Sequence, residues 1–285
     1  MNRNDKARLL YERVSDGIDE VFKSDNFKNY LKVMSRFHTY SARNSLLILM
    51  TNPNATLVAG YKAWVKNFNR YVKKGEKGIP IFAYSPVTCI ENKERNDETG
   101  NTIIEQTERE VSAYKIVHVY DIAQTDGTPL PNVAKELNSS VYNYSLLLNS
   151  IRRISPFSIS FETLDRVKGY CDPDKRQIVV NKGMSEAQTL KTLVHEIVHA
   201  LNHSKAIDSF MDDRNRTEEE VEAECTAFVV LEHYGIDTKD YSFPYIAAWS
   251  NGKDSYDLME VCKRIQVLAD DMISKIDTVS KSLSR

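Results

Sequence analysis

The chain has 285 residues, and its 38 Lys+Arg nearly balance its 40 Asp+Glu, which gives a formal net charge of -2 and a pI of about 6.3. This overall balance argues against a nucleic-acid binder, and 41% hydrophobic residues exclude a disordered protein. No apolar run reaches the roughly 18 residues of a membrane span, and the charged N-terminus is unlike a signal peptide. The four cysteines are far apart and form no CxxC pair, which predicts a reducing, cytoplasmic location.

The first half of the chain is predicted to mix helices and strands. Apolar residues at helical spacing predict helices over 5–24, 27–37, 41–50 and 61–67. Alternating patterns predict strands at 79–84 and 114–121. Between these strands, the polar and acidic stretch 91–110 is expected to be an inserted loop or hairpin, with its tip near 98–101.

This half also carries most of the positive charge. Residues 1–83 contain 15 Lys+Arg and 7 Asp+Glu, a balance of +8, so the other 202 residues carry -10. Between residues 26 and 83, ten basic residues face the single acid Glu76, and nine aromatic residues are interleaved with them. Basic side chains track a phosphate backbone, and aromatic rings stack on unpaired bases. The combination predicts a single-stranded DNA surface; the alternative is that the aromatic residues form core and the cations a solvated face.

The candidate DNA contacts are basic and aromatic residues of this segment. The turn at 73–78 is short and cationic, and it can bring backbone amides near phosphate. Three aromatic residues, Phe37, Tyr40 and Trp64, are the candidate stacking platforms. The complete set is Arg36, Phe37, Tyr40, Arg43, Lys62, Trp64, Arg70, Lys73, Lys74 and Lys77.

A Pro- and Gly-containing stretch, 125–132, predicts a boundary between two α+β domains, 1–128 and 129–285. In the second domain, helices are expected over 134–154, from 185, from 217 and over 257–276. Strands are expected at 158–161 and 177–180, and the second of these is the candidate edge strand for an extended peptide.

The most specific chemical signal is His195-Glu196-Ile197-Val198-His199, an HExxH motif within a predicted buried helix. Four residues advance a helix by about 400°, so His195 and His199 project from one face and can bind one ion. Neutral imidazole suits Zn²⁺, with other divalent metals as alternatives, and Glu196 is placed to act as a general base. The sequence therefore predicts one metal ion and a zinc-dependent peptidase site. The alternative is that the HExxH motif occurs by chance in a helix that binds no metal.

A catalytic zinc site usually has a third protein ligand. The predicted helix from Thr217 offers Glu220 and Glu224, one turn apart. Glu224 is preferred because its apolar neighbours make it look more buried, whereas Glu220 belongs to an acidic run, 218–220, that is expected to face solvent. The residue that is not a ligand is expected to support one.

Two groups of motifs resemble known families. The segments SRFHTYSARNSLLI (35–48), NPNATLVAGYKAWVKNFNRYVKKGEKGIPIFA (52–83) and YDIAQTDGTPLP (120–131) resemble the N-terminal domain of the ArdC antirestriction family. HEIVHALNH and EVEAECTAFVVLEHYG resemble the zincin-like metallopeptidase domain that follows it, which is similar to the ImmA/IrrE peptidases. The resemblance extends over essentially the whole chain, except for 91–110.

The resemblance implies a cytoplasmic protein of a conjugative plasmid or another mobile element, which protects incoming DNA from restriction. It implies single-stranded DNA binding by the N-terminal half and a zincin fold with an HExxH helix in the C-terminal half, whose protein substrate is open. It assigns the metal ligands to His195, His199 and Glu224, and the general base to Glu196. Tyr245, in the family-like phrase YSFPYIAAWS, is a candidate for stabilising an oxyanion. The alternatives are a DNA-coating protein with a structural or inactive zinc site, and a peptidase whose basic half recognises an acidic protein.

Overall fold

A computed structural model describes residues 3–23, 26–96, 102–130, 144–206, 216–236 and 246–284. The chain forms two compact units, one of Met1–Tyr11 and Leu57–Thr128, the other of Glu12–Thr56 and Pro129–Arg285. Both helices and sheets are present, which confirms the predicted α+β class. The break at 128/129 coincides with the predicted domain boundary, but residues 12–56 lie in the same compact unit as the C-terminal half. In the described residues, no helix has the length and apolar character of a membrane span.

The first unit is built on short antiparallel sheets. Its elements, in addition to the start of α1 (Arg3–Lys23), are β1 (Val58–Gly60), α4 (Tyr61–Phe68), β2 (Arg70–Val72), β3 (Ile79–Tyr84), β4 (Val87–Asn96), β5 (Thr102–Val111), β6 (Tyr114–Asp121) and β7 (Thr125–Gly127). A three-stranded sheet has the order β1-β6-β3, and β2 pairs with β7. Strands β4 and β5 pair with each other over the stretch that was expected to be a loop or hairpin; residues 97–101, with the expected tip, lie outside the described residues.

One face of the three-stranded sheet forms the core of this unit. Ile79, Ile81 and Val119 are buried there, and Trp64 of α4 is buried in the same unit. The indole Nε1 of Trp64 donates a hydrogen bond to the carbonyl of Tyr120 at 2.9 Å, which satisfies the one polar atom that the ring brings into the core.

The second unit is mainly helical. It contains the rest of α1, together with α2 (Asn26–Arg36), α3 (Ala42–Thr51), α5 (Tyr144–Ile154), β8 (Ser158–Glu162), β9 (Gly169–Asp172), β10 (Gln177–Asn181), α6 (Glu186–Ala206), α7 (Arg216–His233), α8 (Ile246–Ser250) and α9 (Ser255–Leu283). Helix α7 packs between α6 and α9, and α6 packs on β9 and β10. The hydroxyl of Ser185 accepts a hydrogen bond from the amide of Gln188, so α6 begins at the predicted capping residue.

The position of β10 in its sheet differs from the expectation. The strand was predicted at the edge, but the sheet order is β8-β10-β9, so β10 is central and pairs on both sides. Ile178, Val179 and Val180 are all buried, and such a continuous apolar run is typical of a strand covered on both faces. Among the described strands, β9 is the edge strand beside α6.

Candidate metal centre

Helix α6 presents both histidines of the HExxH motif to one cleft. The Nε2 atoms of His195 and His199 lie 3.1 Å apart. Between and beside them, Val194, Ile197 and Val198 are fully buried, so the apolar side of the helix is fixed in the core and the histidine side is fixed toward the cleft. The predicted pairing of the two histidines on one face is therefore present.

Helix α7 supplies the third group, and that group is Glu220. One carboxylate oxygen of Glu220 lies 3.3 Å from Nε2 of His195, and the other lies 3.6 Å from Nε2 of His199. The candidate ligand atoms of these three residues all lie within 4.8 Å of one another. Among the described residues, they form the cluster that is arranged to hold a metal ion.

Glu224, the expected third ligand, lies on the other side of His195. Its carboxylate is 3.4 Å from Nδ1 of His195 and 2.5 Å from Nζ of Lys191. The side chain of Glu224 is indeed the more buried one, at 14% exposed against 46% for Glu220. Burial alone was a poor guide, because the packing of α7 against α6 decides which carboxylate meets the Nε2 atoms.

The residues present fit a divalent metal ion. Ligand atoms bound at about 2.0–2.2 Å by one tetrahedral ion lie roughly 3.3–3.6 Å apart. The observed separations of 3.1, 3.3 and 3.6 Å are close to those values. Two imidazoles and a carboxylate are also a donor set that catalytic zinc sites use.

Glu196 lies in the same cleft, next to both histidines in the helix. Its side chain is buried, and burial raises the pKa of its carboxyl group, while the neighbouring His195 and His199 oppose that rise. The backbone of Cys171 in β9 is hydrogen-bonded to this carboxyl group. A group of this kind can accept a proton at the wall of the cleft.

A glycine lets β9 approach this carboxylate closely. A Cβ atom at Gly169 would come within 2.6 Å of the Thr192 methyl group in α6 and 2.9 Å of the Val179 carbonyl oxygen in β10. Real Cβ atoms do not come that close to backbone atoms, so a side chain here would push the edge strand away from α6. Gly169 therefore sets the width of the cleft next to Glu196.

Acidic neighbours stabilise the charged form of His195. Burial would lower the pKa of its imidazole, but hydrogen bonds to Glu220 and Glu224 raise it to about 9. In turn, hydrogen bonds from His195 and His199 hold the pKa of Glu220 well below its ordinary value. The cluster thus concentrates negative charge around the imidazoles, as a cation-binding site requires.

The cleft is open on two sides of the cluster. One cavity, of about 660 Å³, is lined by Lys168, Gln188 and Lys191 as well as by His195 of the cluster. The other, of about 600 Å³, extends past Tyr170 and Cys171 of β9. Both include Glu196 and Glu220. Tyr245, the candidate oxyanion stabiliser, lies outside the described residues.

The predicted DNA contacts are divided between the two units. Six of them lie in the first unit and four, Arg36, Phe37, Tyr40 and Arg43, lie in the second. Lys62, Lys73, Lys74 and Lys77 have exposed side chains, and the last three share one turn. Tyr40 and Arg43 are half-buried, and burial raises the pKa of Tyr40.

Two proposed stacking platforms are buried, and two of the proposed arginines are hydrogen-bonded within the chain. Trp64 is 0% exposed and Phe37 is 4% exposed, so both rings belong to cores and cannot stack on bases. Arg36 donates hydrogen bonds to the carbonyls of Ala55 and Pro53. Arg70 donates to the carbonyls of Thr125 and Thr128, which ties β2 to the chain around β7. Aromatic residues at helical spacing are usually buried in a core, and this interpretation is the correct one for Trp64 and Phe37.

Comparisons with known proteins match the two halves separately. Residues 10–120 match the model of the N-terminal domain of anti-restriction factor ArdC, and residues 154–247 match that of the IrrE N-terminal-like domain, a peptidase family. An uncharacterized protein of Bacillus anthracis is 26% identical to this chain over an alignment of 315 positions. The alignment covers 98% of this chain but 52% of that protein. The chain thus spans about half the length of this relative.

Two crystal structures of the antirestriction ArdC protein from the R388 plasmid share the fold. The metal-free structure is 20% identical with a TM-score of 0.53, and the alignment covers 85% of this chain and 86% of that one. The Mn(II)-bound structure is 19% identical with a TM-score of 0.57, and the alignment covers 95% and 97%. The predicted resemblance to ArdC-type proteins and IrrE-like peptidases is confirmed.

Proposed function

We propose that this chain, which pairs an ArdC-type N-terminal domain with an IrrE-like peptidase domain, is a metal-dependent peptide hydrolase that also binds single-stranded DNA in the cytoplasm and serves antirestriction. The observation that carries the hydrolase is the meeting of His195, His199 and Glu220 in a cleft that also contains Glu196. Antirestriction rests on the resemblance to ArdC, since the cleft itself shows nothing of that role.

Zn²⁺ is the proposed ion because imidazole and carboxylate ligands suit it, and Mn²⁺ is the nearest alternative because the ArdC neighbour binds it. His195, His199 and Glu220 would hold the ion. When bound, it would act as a Lewis acid toward water and a peptide carbonyl. Glu196 would take a proton from the attacking water onto its carboxylate and give it to the leaving amine.

Glu224 is proposed to position His195. Its carboxylate faces Nδ1 of that ring, the nitrogen that is turned away from the cluster. A carboxylate at this nitrogen fixes the ring's tautomer and orientation and leaves Nε2 to face the ion. Lys191 keeps Glu224 ionised: burial would raise the pKa of Glu224, but hydrogen bonds from His195 and Lys191 lower it.

Glu196→Gln is expected to retain the metal and lose hydrolysis. The substitution preserves the shape of the side chain but removes the group that carries the proton, which costs about 100- to 10,000-fold in rate. The probe is a random decapeptide mixture whose cleavage by the zinc-loaded full chain is followed by mass spectrometry. Metal content is measured on the same samples.

The matched control is Glu186→Gln, because Glu186 is an exposed residue in the first turn of the same helix. The Glu186→Gln variant is expected to cleave the peptide mixture at the rate of the unmodified chain. Undiminished cleavage by Glu196→Gln would contradict the role of Glu196. Absence of cleavage by the unmodified chain, together with full protection of DNA by Glu196→Gln in cells, would favour a DNA-coating protein with a structural metal.

Single-stranded DNA binding is the second proposed activity. It is supported by the ArdC-type domain and by the turn at 73–78, where Lys73, Lys74 and Lys77 are exposed. Glu76 is the one acid within the turn, and Lys73 also lies 3.9 Å from the carboxylate of Asp126 in β7. The carboxylate of Glu76 accepts a hydrogen bond from the side chain of Gln124, so the acid is held by its own unit. Lysines grouped in this way can neutralise successive phosphates.

The affinity of the full chain for a single-stranded oligonucleotide is expected to fall steeply with salt. If about four phosphates are neutralised, raising salt from about 50 to about 200 mM lowers the affinity by about 50-fold. Fluorescence anisotropy of a labelled dT oligonucleotide measures this. An affinity that ignores salt, or a preference for duplex of the same length, would contradict the activity.

A further inference from the structure

One face of the sheet β1-β6-β3 carries exposed tyrosines. Tyr84 of β3 and Tyr114 of β6 are directly opposite in the antiparallel register, with ring centroids 5.8 Å apart in an edge-to-face arrangement. Their side chains are 58% and 57% exposed. Opposite residues of paired strands project to the same face, so the two rings lie side by side on that surface.

The row continues along β6. His118 pairs with Pro80, four residues along the register from the Tyr84–Tyr114 pair and therefore again on the same face. A Cβ atom at Gly78 would come within 2.8 Å of the Cβ atom of His118 and 2.9 Å of the Tyr120 ring, so these two side chains lie over a glycine that leaves room for them. The surface therefore extends for the length of the strand.

Two more tyrosines border this row. Tyr61, which is 56% exposed, has its ring centroid 6.3 Å from that of Tyr120. Tyr11, which is 41% exposed, stacks on Phe82 at 4.5 Å in the middle of the face. The tyrosine face is thus defined by Tyr11, Tyr61, Tyr84, Tyr114, Tyr120 and His118.

The exposed tyrosine rings are not part of the core of the unit. Ile79, Ile81 and Val119 point to the other face, and on the tyrosine face Phe82 is the buried residue, with Tyr11 stacked on it. Exposed aromatic side chains grouped on one face are typical of a binding site. Tyrosine suits such a site because its ring is apolar and its hydroxyl stays hydrated.

We infer that the tyrosine face stacks the unpaired bases of single-stranded nucleic acid, an inference that rests on the proposed DNA binding. Exposed lysines adjoin it in the chain: Lys62 follows Tyr61, and Lys77 precedes Gly78. Rings stack on any base, and the lysines meet the phosphates between bases. Duplex DNA keeps its bases stacked on one another, so the tyrosine face selects single strands.

The test compares three forms of the full chain: unmodified, Tyr84→Ala with Tyr114→Ala, and Tyr84→Phe with Tyr114→Phe. Each is titrated with a labelled dT oligonucleotide and with an abasic strand of the same length. Each stacked base contributes about 1–3 kcal/mol, so the alanine form is expected to lose about 30-fold or more in affinity for dT. Its affinity for the abasic strand is expected to change by less than about twofold, since the phosphate contacts remain.

The phenylalanine form keeps both rings and is expected to bind dT within about twofold of the unmodified chain. Tyr256→Ala is the control: this tyrosine is 66% exposed in α9 of the other unit, and its removal is expected to leave the affinity for dT unchanged. Unfolding curves of all forms check that the fold is kept.

The other outcomes separate the inference from the function it rests on. If the unmodified chain binds dT and the alanine form binds it equally well, the tyrosine face is excluded and DNA binding stands. If the unmodified chain binds neither strand, both are overturned. If the alanine form changes the sedimentation coefficient but not the affinity for dT, the face is an interface between copies of the chain, which also overturns the inference.

Discussion

Replacing Glu220 by glutamine is expected to lower zinc affinity by about 100- to 1,000-fold. Structural zinc binding contributes about 10–16 kcal/mol over four ligands, so one ligand is worth about 3 kcal/mol. Glu220 is the carboxylate that meets both Nε2 atoms, at 3.3 and 3.6 Å, and an amide is a much weaker ligand. Competition with a chromophoric zinc chelator measures the change.

Glu224→Gln should have the smaller effect, about 10- to 100-fold, because Glu224 acts through the Nδ1 atom of His195. Glu219→Gln is the charge control, since it removes the same charge one residue away from Glu220. Its expected effect is less than about tenfold and weakens with salt. A larger loss for Glu224→Gln than for Glu220→Gln would reverse the two assignments.

Arg264→Met is expected to lower the free energy of unfolding by about 3–5 kcal/mol. The guanidinium of Arg264 in α9 hydrogen-bonds the carboxylates of Glu218 and Glu222 in α7. Glu222 is fully buried, so the substitution removes the guanidinium that this core carboxylate hydrogen-bonds. Chemical denaturation of the full chain, followed by circular dichroism, gives the change.

Two comparisons isolate the buried pair. Lys275→Met breaks the ion pair between Lys275 and Asp271, whose side chains are 52% and 45% exposed. This substitution is expected to lower the free energy of unfolding by less than about 1 kcal/mol. Adding Glu222→Gln to Arg264→Met should recover part of the lost stability because the uncompensated charge is removed. A loss of under about 1 kcal/mol for Arg264→Met would show that Glu222 does not depend on this arginine.

Helix α7 connects this ion network with the metal cluster. Residues 218 and 222 face α9, and residues 220 and 224, two positions further on, face α6. Two residues turn a helix by about 200°, so alternate glutamates lie on opposite sides. The acidic run that was expected to face solvent is therefore divided between a buried network and the metal cluster.

The features that local spacing determines were predictable from the sequence. His195 and His199 share a face because they lie one turn apart in one helix, and the start of α6 follows from Ser185. The choice between Glu220 and Glu224 was not predictable, because it depends on how α7 packs against α6. Apparent burial favoured the glutamate that meets Nδ1 of His195 instead of the one that meets the Nε2 atoms.

The aromatic residues show the same division. Strand alternation at 79–84 and 114–121 was visible in the sequence, but which side chains would be covered depends on tertiary packing. Trp64 was therefore expected on a surface and is in the core, whereas Tyr84 and Tyr114 were not selected and are exposed. The central position of β10 likewise depends on pairing with β8 and β9, which no local pattern specifies.

The central claim is that α6 and α7 together build one metal site. The most direct measurement is anomalous diffraction from crystals of the full chain grown with Zn²⁺ or Mn²⁺. The predicted result is one strong anomalous peak within about 2.0–2.2 Å of Nε2 of His195, Nε2 of His199 and a carboxylate oxygen of Glu220. A peak bound by Glu224 in place of Glu220, or no peak between the two histidines at saturating metal, would contradict it.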